Sequence, residues 1–151
     1  MVKNFKKVGG GGVEVLKHTL EILKECPYVD IHVGTDSQNF KNKTVYVIVI
    51  AYKYGTRGVH YIYSKHKVDK VKNKWDRLWR EAALSIEVAQ WLREKIKVKI
   101  EIDLDYNSDE KYFSNKLVSS ATGWANSLGF KTNTKPDNQI ATWAADFVCK
   151  K

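Results

Sequence analysis

The order of hydrophobic patterns is what most limits the folds open to this chain. Three β-rich stretches come one after another, at residues 28–35, 44–54 and 59–68, and from there helix and strand alternate to the end. Ile31 and Val33 alternate with His32 in the first stretch. Gly55 and Gly58 bracket the joint between the second and third, as a hairpin loop requires. An amphipathic helix is expected over 75–95. A period-2 strand follows, with Val98, Ile100, Ile102 and Leu104 on one face and Lys99, Glu101, Asp103 and Asp105 on the other. A helix over 108–128 stops at Gly129, and a short strand, 130–134, leads through the turn-forming residues 135–138 to a last helix over 139–150. Ahead of all this, Val15, Leu16, Leu20, Ile22 and Leu23 predict a helix over 13–25 that Pro27 ends. Hairpin-linked strands followed by βα alternation imply an α/β protein with a five-stranded mixed sheet, its first three strands antiparallel, flanked by helices and preceded by an extra N-terminal helix.

At 151 residues, 43% hydrophobic and 28% charged, the chain is expected to form one domain over 13–151 with a real core. Residues 1–12, basic and then glycine-rich, read as a flexible N-terminus. Gly9 to Gly12 lack the preceding strand and the closing Gly-Lys-Ser/Thr of a phosphate loop. Two distant cysteines, Cys26 and Cys149, make a disulfide framework or zinc knuckle a poor fit and point to a reducing cytoplasm. The longest apolar runs, such as 45–51, are of strand length, and the polar start lacks a signal-peptide core, so no membrane partner is expected.

The 26 Lys and Arg exceed the 17 Asp and Glu, giving a net charge of +9 and suggesting a polyanionic partner such as nucleic acid. Against that background four carboxylates fall at chemically useful places. Asp36 is expected at the C-terminal end of the first strand, where ligands gather in open α/β sheets, although a turn or capping Asp fits the same position. Glu81 shares a helical stripe with Leu84 and Val88, whereas Glu87 sits with Arg80, Gln90 and Glu94 on a solvated face. A carboxylate on a packed stripe needs a partner, and either a cation or the helix dipole supplies one. Asp105 lies nearer its strand's end than Asp103 on the same face, so it is the preferred candidate, with Asp103 kept as a second ligand or a surface charge. Asn107 just beyond is placed to orient a water or a phosphate. Asp146 flanks the apolar stripe of the last helix without a capping role, and either a ligand or a plain surface Asp fits there.

Residues 65–80 are strongly basic. Lys65, Lys67, Lys70, Lys72 and Lys74 are expected to contact phosphates, while Trp75 and Trp79, at i and i+4, read as core residues. His18, His32, His60 and His66 have no neighbouring Ser or Cys in a triad pattern.

In these elements and this order, Asp36, Glu81, Asp105 and Asp146 resemble the acidic set of the ribonuclease H-like superfamily, as does the helix beginning Glu-Ala-Ala-Leu-Ser-Ile at Glu81. More narrowly, residues 34–38 (Gly-Thr-Asp-Ser-Gln), 77–81 (Arg-Leu-Trp-Arg-Glu) with Ser85, 104–107 (Leu-Asp-Tyr-Asn) and 135–137 (Lys-Pro-Asp), followed by Ala141 and Ala145-Asp146, resemble an uncharacterised bacterial and phage family within it. The resemblance covers about residues 5–150. It implies hydrolysis of phosphodiester bonds in RNA, RNA–DNA hybrid or DNA, with two Mg²⁺ or Mn²⁺ ions about 4 Å apart. Asp36 would bridge them, Glu81 and Asp105 would hold one and Asp146 the other. Two departures are visible. Residues 131–138 contain no His, where cellular ribonucleases H usually carry one that helps product release, and Asp103 stands where relatives tend to have His. The alternative is a member that keeps the fold as a nucleic-acid-binding or scaffold protein with weak or no catalysis.

Overall fold

A computed structural model describes residues 4–107, 115–135 and 140–149. In chain order the elements are β1 (Phe5–Lys7), β2 (Gly12–Val13), α1 (Val15–Glu25), β3 (Asp30–Phe40), β4 (Lys43–Lys53), β5 (Val59–Asp69), α2 (Lys74–Ile96), β6 (Ile100–Asn107), α3 (Asn115–Ser127), β7 (Lys131–Lys135) and α4 (Ile140–Cys149). They form one sheet of order β2-β1-β5-β4-β3-β6-β7, antiparallel from β2 to β3 and parallel across β3, β6 and β7.

The sheet has seven strands rather than five, and the difference arises at the N-terminus. Phe5 is 2% exposed and fastens β1 to the core, while Lys6 and Lys7 pair with Tyr63 and Ile62 of β5. Gly9, Gly10 and Gly11, at φ of 90°, 97° and 95°, turn the chain back into β2, with Gly10 N–H donating to the Lys7 carbonyl and Lys7 N–H to that of Gly11. Three successive residues at positive φ are strained for any side chain, so the glycines expected to be a flexible joint serve as a hairpin turn. The turn caps what would otherwise be the open edge of β5.

Alternation along the strands separates two cores. Ile31 and Val33 of β3, Ile48, Ile50 and Tyr52 of β4, and Ile100, Ile102 and Leu104 of β6 pack beneath α1, α2 and α3. On the other face Val45, Val47, Val49 and Ala51 of β4 meet Ala141, Ala145, Val148 and Cys149 of α4. Helix starts are set by side-chain caps: Glu14 accepts from Leu16 and Lys17 N–H, and Asn73 from Trp75 and Asp76 N–H.

α4 lies unusually close to β3, and Gly34 is the reason. A Cβ at Gly34 would come within 2.9 Å of Ala141 Cβ and 3.0 Å of both Thr142 Cγ2 and Thr142 N. Two of these contacts belong to tightly packed core residues, so Gly34→Ala is expected to push α4 off the sheet at a cost of about 2 kcal/mol. Urea denaturation should show this as a lower midpoint with an unchanged slope.

Trp75 and Trp79 are not core residues. They are 37% and 40% exposed, because α2 turns Leu78, Glu81, Ala82, Ser85 and Ala89 toward the interior and leaves the i, i+4 tryptophan row outside. Trp79 stacks on Trp124 of α3, with centroids 5.5 Å apart and planes at 19°. Both cysteines are buried and free. Among the described residues no helix is long and apolar enough to cross a membrane.

Candidate active site

β3 carries the first site residue, but in its middle rather than at its end. The strand continues to Phe40 because it stays paired with β4 down to the turn, where Lys41 adopts φ 51°. What stops near Asp36 is the parallel pairing with β6, whose described register ends at Gly34–Asp103. Beyond that pair, neighbouring parallel strands part at their carboxyl ends, the usual place for a ligand crevice in an α/β sheet.

Side chains from both faces reach this region. Asp36, half-buried, shares the α4 face with Gly34 and lies level with Val47. Asp146 is half-buried on α4, between the buried Ala145 and the exposed Phe147. From the opposite face, α2 contributes Glu81, which is 4% exposed and accepts a hydrogen bond from Ser37 Oγ; Glu87 on the same helix is exposed. One turn later Ser85 Oγ lies 2.7 Å from Thr35 Oγ1. Ser37 and Thr35 thus form a polar seam that fixes α2 against β3 and aims Glu81.

Cys149 lies within electrostatic reach of three of these groups. Its thiol is pushed up to about 12, first by burial and then by the negative charge of Asp36, Glu81 and Asp146, with Lys65 acting in the opposite sense. Three of the four predicted acids therefore act on one buried sulfur. Tyr46, 2% exposed on β4, also feels Glu81: burial and then that carboxylate raise its pKa. Among the described residues no three His, Cys, Asp or Glu side chains are grouped as a ready metal site. The side chains of Asp105 and Asn107 lie outside the described residues, although their backbone belongs to β6.

Asp103 has a different occupation. It is 1% exposed, and its Oδ1 accepts from His32 Nδ1–H at 3.0 Å and from Asn133 Nδ2 at 2.9 Å, while its Oδ2 accepts from Ala141 N–H at 2.8 Å. The last bond ties β6 to the first turn of α4, where a carboxylate also suits the helix dipole. Glu101 extends the network through Asn133 and Lys131. With both oxygens engaged, Asp103 is a buried structural anchor, and the ligand role assigned to it as a candidate finds no support in its geometry.

Burial by itself disfavours the charged form of His32. The hydrogen bond and charge of Asp103, helped by Glu101 and Asp30, outweigh it and hold the pKa above the ordinary 6.5. A folded-state pKa raised in this way contributes stability in full below pH 6.5 and loses it as pH rises through the higher value. Because burial shifts His18, His60 and His66 downward, the overall pH curve mixes opposite signs. The stability difference between wild type and His32→Asn isolates the effect. It should be largest at or below pH 6.5 and shrink above it, as measured by urea denaturation at a series of pH values.

The predicted lysines divide into two groups. Lys65 and Lys67 point to the α4 face beside Cys149 and line a cavity with the β3–β4 turn; Lys70, Lys72 and Lys74 are exposed and lie outside that lining. Sequence reasoning missed Lys41 and Lys43 on the same cavity. Their signal was a turn carrying two lysines only two residues apart. It also missed Ser37, one residue from Asp36 and on the opposite face.

No curated protein and no solved structure is significantly similar to the chain. A family model described as Ribonuclease H-like matches residues 13–150, which takes in α1 through α4 and nearly the whole chain. On that match, and on a mixed sheet flanked by helices, the chain belongs to the ribonuclease H-like family.

Proposed function

We propose that this protein is a Mg²⁺- or Mn²⁺-dependent nuclease that hydrolyses phosphodiester bonds of RNA, RNA–DNA hybrid or DNA. The observation that carries the reading is the Ribonuclease H-like match over residues 13–150, with Asp36 on β3 just past the last β3–β6 pair, Glu81 on α2 and Asp146 on α4, in a chain of net charge +9. Carboxylates that come near one another repel, and a divalent cation offsets that repulsion. The donor chemistry fits that cation. The three groups offer hard carboxylate oxygens, and the nearby Cys149 thiol stays protonated, which disfavours soft metals.

Asp36, Glu81, Asp105 and Asp146 would hold the ions. When bound, two such ions supply an acidified water and charge compensation for the departing oxygen. The chain's own residues do the positioning. Ser37 holds Glu81 in one orientation, the α4–β6 tie through Asp103 holds the helix bearing Asp146, and β3 presents Asp36 from a strand paired along its whole length. Lys65 and Lys67 draw the phosphate backbone toward the acids.

Labelled RNA, RNA–DNA hybrid and single-stranded DNA, incubated with Mn²⁺ or Mg²⁺ and then with excess chelator, test the proposal. Cleavage of at least one substrate that stops on chelation, and weakens steeply as salt rises, is expected. A protein that binds these substrates but cleaves none with either ion would be the non-catalytic alternative.

A further inference from the structure

The tip of the β3–β4 hairpin, the facing pleats of β5 and the end of α4 line a half-open cavity of about 330 Å³. Its floor is apolar: Val45 is 6% exposed and Cys149 3%. Four lysines line it, Lys41 and Lys43 on the hairpin and Lys65 and Lys67 on β5. Strand pairing dictates this arrangement. Val45 and Val47 of β4 lie opposite Lys67 and Lys65, so both lysines leave the sheet on the same side as the cavity floor. Lys43 has an anionic neighbour, Asp69 at 2.8 Å, but that carboxylate is 97% exposed, and such a solvated pair contributes little and exchanges easily. Four like charges around one recess repel one another until an anion enters.

Three features narrow the occupant. The volume lies at the lower end of the range for small-molecule pockets, which suits one nucleotide and excludes a duplex. Phe40, 47% exposed, lines the same cavity and offers an aromatic surface on which a base can stack. The cavity also adjoins the acids, since Cys149 forms part of its wall while lying within electrostatic reach of Asp36, Glu81 and Asp146. A polynucleotide with one phosphate at the acids has its next nucleotide close by.

We infer that this cavity is a subsite for one unpaired nucleotide of the substrate strand, its phosphate held among Lys41, Lys43, Lys65 and Lys67 and its base stacked on Phe40. This rests on the nuclease reading and sharpens it. A base engaged in a duplex is stacked on both faces and cannot offer one to Phe40, so the preferred substrate is single-stranded, or unpaired at the flank of the cleavage point.

Binding measured without divalent cations separates this inference from catalysis. Fluorescence anisotropy in EDTA would compare a labelled single-stranded DNA with a blunt duplex of the same sequence, over a series of salt concentrations. Wild type is expected to bind the single strand about tenfold more tightly. Phe40→Ala should weaken single-strand binding about fivefold or more and leave duplex binding unchanged, while Phe40→Trp should retain it. Lys41→Ala/Lys67→Ala should lower the slope of log affinity against log salt by about 0.7, the loss of one phosphate contact on a single strand. Thermal melts of each variant establish that it is folded. Equal or tighter binding of the duplex, wild-type affinity in the Phe40 and lysine variants, or no binding by wild type would each overturn the subsite. If cleavage persists and depends on Asp36 while these variants behave as wild type, the nuclease reading stands and the subsite falls.

Discussion

Asp36→Asn is expected to lower metal-dependent cleavage by about a thousandfold while leaving the protein folded and at least as stable as wild type. The first half follows from the proposed role. Asp36 lies two residues beyond the last β3–β6 pair, and removing one anionic ligand from a two-cation centre forfeits several kcal/mol of charge stabilisation; about 4 kcal/mol is a factor of 10³ in rate. The second half follows from electrostatics. Asp36, Glu81 and Asp146 all lie within electrostatic reach of Cys149, and Asn keeps the shape of Asp36 while removing one negative charge from that region. Single-turnover cleavage assays and thermal melts on the same preparation check both halves. Lost activity with lost stability would point to a structural Asp36 instead.

Asp103→Ala should behave in the opposite way, destabilising the protein by about 3–5 kcal/mol, because removal of one member of a buried charged network strands the rest. Here the stranded groups are named: a His32 ring 6% exposed, the Asn133 amide and the Ala141 N–H that anchors α4. Urea denaturation measures the loss directly. Asp105→Asn is the matched control, expected to abolish cleavage with stability retained. Together the two variants separate the strand's structural acid from its proposed metal ligand.

Much of this architecture was legible in the sequence because its signals are periodic. The β3, β4 and β5 stretches, the α2 pattern and the alternation of Ile100, Ile102 and Leu104 each specify an element and a buried face, and Glu81 was separable from Glu87 by helical phase alone. What escaped has physical causes. β1 is three residues long, too short for period 2 to register, and only Phe5 marks it as part of the core. Asp36 was expected at a strand end because the sequence loses its hydrophobic alternation there, yet β3 continues as a ribbon held by β4 alone. Trp75 and Trp79 have core-like spacing, but a helix has room for one sheet-facing stripe, and Leu78, Ala82 and Ala89 occupy it.

The contrast between Asp103 and Asp105 was the hardest to read. In the sequence both fall on the polar side of one period-2 stretch, two residues apart, and propensity treats them alike. The difference lies in a partner on the adjacent strand, His32, separated by 71 residues in sequence. A histidine opposite a pair of acids on neighbouring parallel strands becomes informative only once strand order is known. The same holds for the lysine cavity, which joins a turn at residues 41–43 to residues 65 and 67 through the β4–β5 register.

Crystals of the protein soaked in Mn²⁺ and measured at the manganese absorption edge test the central claim most directly. The account predicts anomalous peaks bounded by Asp36, Glu81, Asp105 and Asp146, with Asp103 still bonded to His32 and Ala141. Manganese bound at Asp103, or no peak at the four carboxylates at an ion concentration that supports cleavage, would contradict it.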